Sequence, residues 1–415
     1  MSTTQPTPAD PRRRALLAGS ASAVAAAGLA AVGGNALAQT PAAPAAGAVG
    51  AAPKGLPAYV AWKDPAAMIV HSTATVETKR TVFGSSVITP AEQLYVRNNL
   101  PSPGPEIIAD RNAWEISIEG VKNPRKLTVA DLKSMGLETV TMVLQCSGNG
   151  RGFFPSKPSG TPWKVGAAGC VVWSGVPVRD VVAALGGVAD GMVYMTSTGG
   201  EKLPDGIDPK TVMVERSVPV AAMADALLAW EMNGAPIPLA HGGPLRTVVP
   251  GYTGVNSVKY VKRLAFTAEQ SPAAIQQTGY RMSPPGQKGR PSDPSVWEMA
   301  PKSWINSPLP DNGPLRAGPV VVQGVAFGGM SAAAKVEVSV DGGTTWKPAR
   351  FVGPDMGRYA WRQFALSTSL ASGNHLLMSR VTDATGTVQA EAGVENAGGY
   401  SNTSWRDHAV QVMVA

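Results

Sequence analysis

The rhythm of apolar and polar residues changes along this 415-residue chain. Between about Ala58 and Glu269, short β-type runs alternate with helical stretches. AWEISIEG (113–120) alternates apolar and polar residues, the period-2 pattern of a half-buried strand. LTVADLKSMG (127–136) predicts a helix opening at Thr128 and stopped by a glycine. TVTMVLQC (139–146), rich in β-branched residues, predicts a buried strand. VPVRDVVAALGG (176–187) puts Val178, Val181, Val182 and Leu185 on one helix face. Asn233-Gly234 is a strong hairpin-turn signal. The pattern is mixed α+β with many Gly/Pro breaks, not a regular βαβ array.

Beyond the Pro/Gly/Ser-rich stretch 283–295 the pattern becomes purely β. AAKVEVSVDGGTTWKPARF alternates at Val336, Val338 and Val340 and then turns at Asp341-Gly342-Gly343. GRYAWRQF, HLLMSRVTDATG and the final HAVQVMV, with Val410, Val412 and Val414, continue it. Strands at this spacing, with turn residues between them, predict an all-β sandwich starting near Pro301.

The N-terminus reads differently from both regions. Arg12, Arg13 and Arg14 precede a mild Ala/Gly stretch that ends in Ala36-Leu37-Ala38, the small-x-small pattern of a signal-peptidase site. Consecutive arginines before such a segment predict a twin-arginine signal over 1–38, and hence export of a folded protein to the periplasm. Residues 39–57, QTPAAPAAGAVGAAPKGLP, have little to bury and are expected to be a disordered linker. No later segment reaches about 18 apolar residues, so no membrane span is expected after cleavage. The formal charge of +7 falls to about +5 without Asp10 and the three signal arginines. That is a solubility feature, and no nucleic-acid partner is expected.

Candidate chemistry narrows the picture. The chain has no GxGxxG, no P-loop and no CxxCH, so no dinucleotide site and no haem in this chain are expected. Its four histidines (His71, His241, His375, His408) are too scattered for a zinc signature. Counting alone leaves a Cys146–Cys170 disulfide open, since an exported chain with two cysteines invites one. Three Gly- or Pro-rich loops carry cations: LYVRNNLPSPG (94–104) with Arg97, LQCSGNGR (144–151) with Cys146 and Arg151, and LAHGGPLRTVVPGYTGVNSVKY (239–260) with His241, Arg246 and Lys259. Singly, each cation is a surface charge or a loop tie; together, beside one thiol, they describe a polyanion pocket.

The run YVRNN…LQCSGNGR…AWEMNG…AHGGPLRTVVPG…VKY resembles the sulfite oxidase family of molybdenum enzymes, in particular bacterial periplasmic sulfite dehydrogenase catalytic subunits. The resemblance implies an α+β molybdopterin-binding domain over 58–300, in the sulfite oxidase fold, followed by an all-β immunoglobulin-like domain over 301–415. It implies one molybdenum–molybdopterin per chain, with Cys146 as the protein's metal ligand, and a soft thiolate suits a dithiolene-bound metal. That reading sets the disulfide aside and leaves Cys170 as a small buried residue.

Arg97 and Arg151 then match family arginines that bind the substrate anion, where a guanidinium fork suits an oxyanion. Tyr280, in TGYRMS, matches an active-site tyrosine; its plainer reading is packing between domains. His241, Arg246, Ser257, Val258 and Lys259 match residues that grip the pterin and its phosphate, joined by the backbone of Tyr95, Val96, Arg97, Asn98 and Asn99. Many relatives carry histidine where Asn99 stands, so no imidazole is expected there to relay protons. A pterin-binding aspartate of animal relatives has only Asp205 as a loose candidate. The implied reaction is oxidation of sulfite to sulfate by oxygen-atom transfer, with single electrons passed to a c-type cytochrome or a small haem c subunit. Relatives form homodimers or heterodimers. A sulfane-sulfur dehydrogenase or sulfoxide reductase with the same cofactor is the nearest alternative, and a non-enzymatic secreted binding protein a remote one.

Overall fold

A computed structural model describes residues 55–415. The expected signal peptide, and the expected linker up to residue 54, lie outside the described residues. The last linker positions, Gly55–Pro57, are already part of the fold: Leu56 is buried against Val60, Met68, Val76 and Val96. Among the described residues no helix is long and apolar enough to cross a membrane.

The strand predicted over 139–146 forms as Glu138–Gln145. It runs antiparallel to Ala168–Pro177, which pairs in turn with Leu227–Met232. Leu227–Met232 also carries Ala235–Pro236 and Arg246–Val248. The Asn233-Gly234 turn makes the first of these links, with φ of 54° and 77° at its two central residues, as a primed hairpin turn requires. A second five-stranded sheet runs in the order Arg125–Thr128, Glu115–Glu119, Val261–Thr267, Tyr194–Gly199, Glu215–Pro219, with one parallel pair, Val261–Thr267 beside Glu115–Glu119.

Two short helices pack between these sheets. Val129–Met135 opens on a capping box: the Thr128 hydroxyl accepts from the Asp131 N–H while the Asp131 carboxylate accepts from the Thr128 N–H. Such a cap is worth about 1 kcal/mol. Val178–Ala184 buries Val178, Val181 and Val182, the face read from their spacing, against Ile116, Leu132 and Leu264.

A small three-stranded sheet, Met68–Ser72, Thr75–Thr78 and Val96–Arg97, holds the first cationic loop. Seven strands build the C-terminal, barrel-like sandwich, in the order Lys302–Ser307, Gly318–Phe327, Arg362–Leu370, Lys347–Val352, Ala333–Ser339, Gly373–Asp383, Val410–Val414. Its last strand keeps the predicted alternation, with Val410, Val412 and Val414 buried and Gln411 and Met413 outside.

The two regions share apolar core. Val143, Ala168 and Cys170 from the first sheet pack with Trp304, Val325, Phe327 and Trp361 from the sandwich. The Trp361 indole donates to Val87 O at 2.7 Å, and Val143 N–H donates to Tyr359 O at 2.8 Å. Each fully buried side chain of the Val or Phe kind contributes about 1.5–3 kcal/mol, so this seam binds the sandwich firmly to the sheet that ends in Cys146.

Candidate active site

Cys146 follows the strand Glu138–Gln145 directly, and its N–H still donates to Ala167 O at 2.9 Å. The chain then folds back in tight turns: Asn149 N–H reaches Cys146 O and Arg151 N–H reaches Gly148 O, each at 2.9 Å. Gly150 sits at φ 97°, a left-handed conformation that side chains disfavour, and a Cβ on Gly148 would collide with the Arg151 guanidinium. This bend takes the thiol out of the ladder and turns it into a cavity.

The sandwich braces the same loop. Lys302, fully buried, donates to Asn149 O at 3.1 Å and Asn402 O at 2.9 Å. Asn402 donates to Gly150 O at 3.2 Å, and Ser401 N–H donates to Ser147 O at 2.9 Å. Both cysteines are free. Cys170 is fully buried in the seam, and burial pushes its thiol up to about 12, so it is the small core residue expected.

The cavity holds about 640 Å³, counting its open mouth. Around Cys146 it collects Tyr95, Arg97, Asn98, Asn99, His241, Arg246, Ser257, Val258, Lys259 and Tyr280, residues drawn from four separate stretches of chain. The strand pairing Thr75↔Arg97 presents Arg97, whose Nη1 is buried with no hydrogen-bond partner among the described residues. Arg246 stands on its strand with Nε on Ser257 O at 3.1 Å and Nη1 on His241 O at 2.8 Å, its guanidinium over the Trp173 ring. Lys259 Nζ donates to Asn98 Oδ1 at 2.7 Å and Ala240 O at 2.6 Å, joining the first and third loops. Gly242, at φ 105°, lets the chain pass so close that a Cβ would lie 2.9 Å from the Lys259 side chain.

The electrostatics are one-sided. Burial lowers Arg246 to about 10. Burial, and next the neighbouring Arg246, take Lys259 well below its usual value. Burial and the nearby Lys63, Lys259 and Arg246 do the same to His241, which is therefore neutral. None of Arg97, Arg246 and Lys259 forms an ion pair among the described residues. The cavity's one carboxyl is Glu201, raised by burial to about 6. Cations held this far from water without anionic partners are costly, and the cluster suits an anionic occupant.

Not every expected residue faces the cavity. Val96 turns its side chain into the apolar cluster with Val60 and Val76, so only its backbone is available there. Arg151 is buried beside the cavity, outside its lining: Nε donates to Gly398 O at 2.8 Å and Nη1 to Thr161 O at 2.9 Å, tying the Cys146 loop to the sandwich. Asp205 is exposed, and Glu201, four residues earlier, is the acidic residue inside. Asn99 is exposed at the rim.

Tyr280 does line the cavity, at φ 50°, and it also packs between regions. Its ring stacks on Tyr400 of the sandwich, with centroids 5.1 Å apart, and the Arg151 guanidinium lies 5.5 Å from the Tyr400 centroid. Tyr400, Glu201 and Lys63 were not read from sequence. A lone residue in a loop has no periodic signal to expose it.

The comparisons agree with this geometry. Residues 102–275 match the oxidoreductase molybdopterin binding domain family, and residues 293–414 match the Mo-co oxidoreductase dimerisation domain family. Sulfite oxidase of Gallus gallus is 32% identical over 335 residues, covering 77% of this chain and 72% of the relative.

The chain belongs to the sulfite oxidase family.

Sulfite oxidase of Arabidopsis thaliana is 30% identical, with 79% of this chain and 89% of the relative covered. The chain spans 62% of the length of the mammalian sulfite oxidases it matches. Among solved structures, the sulfane dehydrogenase SoxCD from Paracoccus pantotrophus superposes with a TM-score of 0.68 at 25% identity, over 89% of this chain and 95% of that one. As a member of this family the chain carries an oxidoreductase molybdopterin-binding domain. The residues present fit the cofactor: one thiol freed from its strand, an orphaned guanidinium nitrogen, a close-approach glycine, and cations without an ion-pair partner among the described residues for a phosphate.

Proposed function

We propose that this protein oxidises sulfite to sulfate, with Cys146 as the protein ligand of a single molybdenum. The observation that carries the reading is the buried, unpartnered Nη1 of Arg97 in the same cavity as the free thiol of Cys146. When bound, molybdopterin's metal supplies the oxygen-atom and two-electron chemistry. Arg246, buried, and Lys259, half-buried, neither in an ion pair among the described residues, would hold the anionic end of the pterin, with His241, Ser257 and Val258 beside them. Arg97 would orient the substrate oxyanion, since a guanidinium keeps its charge and donates two parallel hydrogen bonds. Arg151 would add positive potential from behind the Cys146 loop while holding that loop in place. The Tyr280 hydroxyl would donate to a substrate oxygen, its ring fixed by the stack on Tyr400.

Overall, sulfite and water become sulfate, two protons and two electrons. The electrons would leave singly to a c-type cytochrome or a small haem c subunit, and the sandwich would serve pairing with a second copy or another subunit. The arginine run at 12–14 supports export to the periplasm by the twin-arginine route. The superposition on a sulfane dehydrogenase supports a second reading, oxidation of a carrier-bound sulfane sulfur at the same site. Metal analysis of purified protein should find about one molybdenum per chain. Turnover of sulfite, but not of a thiol-bound sulfane sulfur, with an artificial one-electron acceptor then decides for sulfite. The opposite preference decides for the second reading.

A further inference from the structure

Behind His241 lies a lysine that no motif singled out. Lys63 stands in the turn between Ala58–Val60 and the strand Met68–Ser72, upstream of the matched molybdopterin-binding region, and is only 2% exposed. Its Nζ has three partners: Ala91 O at 2.6 Å, Leu94 O at 2.7 Å and His241 Nε2 at 3.0 Å. An ammonium has three protons and no lone pair, so with Lys63 protonated three acceptors satisfy it completely and the third is a bare ring nitrogen. The Trp62 face, 4.5 Å from Nζ, also favours the cation. Burial pulls Lys63 down to about 7 even with Glu92 raising it. An anion in the adjacent cavity pulls in the same direction as Glu92.

We propose that Lys63 is a positioning residue that locks His241 in the Nδ1–H tautomer, leaving Nδ1–H as the ring's only donor for the cofactor. His241 Nδ1 has no hydrogen-bond partner among the described residues, while the ring lines the cavity. The same ammonium joins two binding loops, because Leu94 O immediately precedes the Tyr95–Asn99 loop and His241 opens the third. Without Lys63, Nε2 is left facing Ala91 O at 3.3 Å, an acceptor that favours a proton on Nε2 and removes the donor from Nδ1. Groups that orient a ligand's partner in this way typically change affinity by about 10–100-fold. The inference rests on the cofactor-binding reading above, but its primary readout does not.

The experiment is nitrogen NMR of the purified protein with 15N-labelled histidine, in which the two neutral tautomers give different ring-nitrogen shifts. The His241 signals are identified by their loss in His241→Gln. Wild type should show Nδ1 protonated and Nε2 bare at neutral pH. Lys63→Met, which keeps the stem and removes the donors, should move His241 toward the Nε2–H form and lower retained molybdenum on the order of 10–100-fold after exhaustive dialysis. An Nε2–H tautomer in wild type overturns the proposal, even should Lys63→Met fail to fold. So does an unchanged tautomer and unchanged metal content in Lys63→Met. Wild type without molybdenum would count against the proposed function instead, with the tautomer still readable.

Discussion

Cys146 follows the strand Glu138–Gln145, and Cys170 lies on the strand paired with it, opposite Val143. The two thiols share a sheet, yet one faces a cavity ringed by cations and the other a seam of tryptophans and valines. The difference comes from the backbone and from neighbours. Gly148 and Gly150 bend the chain after Cys146 so that its sulfur leaves the ladder. Cys170 stays within its strand, its N–H donating to the Thr89 hydroxyl, and its side chain fills the core. A cysteine's chemistry here is set by its turn and its surroundings, not by its strand.

The largest effect should come from removing the cavity-facing thiol. Cys146→Ser is expected to fold and to show little or no sulfite oxidation, because serine is too hard and too weakly acidic for this metal. Near wild-type turnover in that variant would end the assignment. Next come the two arginines, one inside the cavity and one behind it. Arg97→Gln should lower kcat/KM for sulfite on the order of 10–100-fold, with weakened salt dependence and an unchanged melting temperature. Arg151→Gln should lower the melting temperature by several degrees, since it removes two partly buried charge-assisted hydrogen bonds worth about 1.5–3 kcal/mol each. Melting curves and sulfite kinetics on both variants test this, and an Arg151→Gln protein as stable as wild type would remove the tie.

Smaller still, Tyr280→Phe keeps the ring stack and loses the proposed hydrogen bond to substrate, so kcat should fall by up to about tenfold with little change in stability. In cofactor-free protein the buried histidines should appear in stability. His241 and His408 are held neutral in the fold by burial, well below their usual 6.5, so the unfolded chain binds more protons below that pH. Thermal unfolding of cofactor-free protein should therefore show stability falling as pH drops through about 6.5, by up to about 1.4 kcal/mol per pH unit for each histidine. A flat profile down to about pH 5 would contradict their burial as neutral rings. The least effect on chemistry should come from Cys170→Ser, which leaves turnover per folded chain intact and costs about 1–3 kcal/mol for a buried hydroxyl. A loss of turnover there would erase the contrast between the two thiols.

Local pattern carried much of this molecule. Thr128 and Asp131 announce a helix start, because a cap is satisfied within one turn of chain. Val410, Val412 and Val414 announce their strand, because a period of two places them on one face. Cys146 with its glycines and Arg151 was visible as a bend bearing a thiol, because a bend is a local event as well. What those residues then touch was decided elsewhere. Arg97 and Arg151 are both arginines beside glycine-rich loops, and only packing makes one an open donor and the other a tie to Gly398. Glu201 rather than Asp205 enters the cavity, although they stand four residues apart in one loop. Tyr400 reaches Tyr280 across 120 residues, and Lys63 reaches His241 across 178. Such pairs leave no period and no spacing in the chain. A single buried hydrogen bond or ring contact constrains geometry in space, while the sequence between its ends is free to vary with the loops it must close.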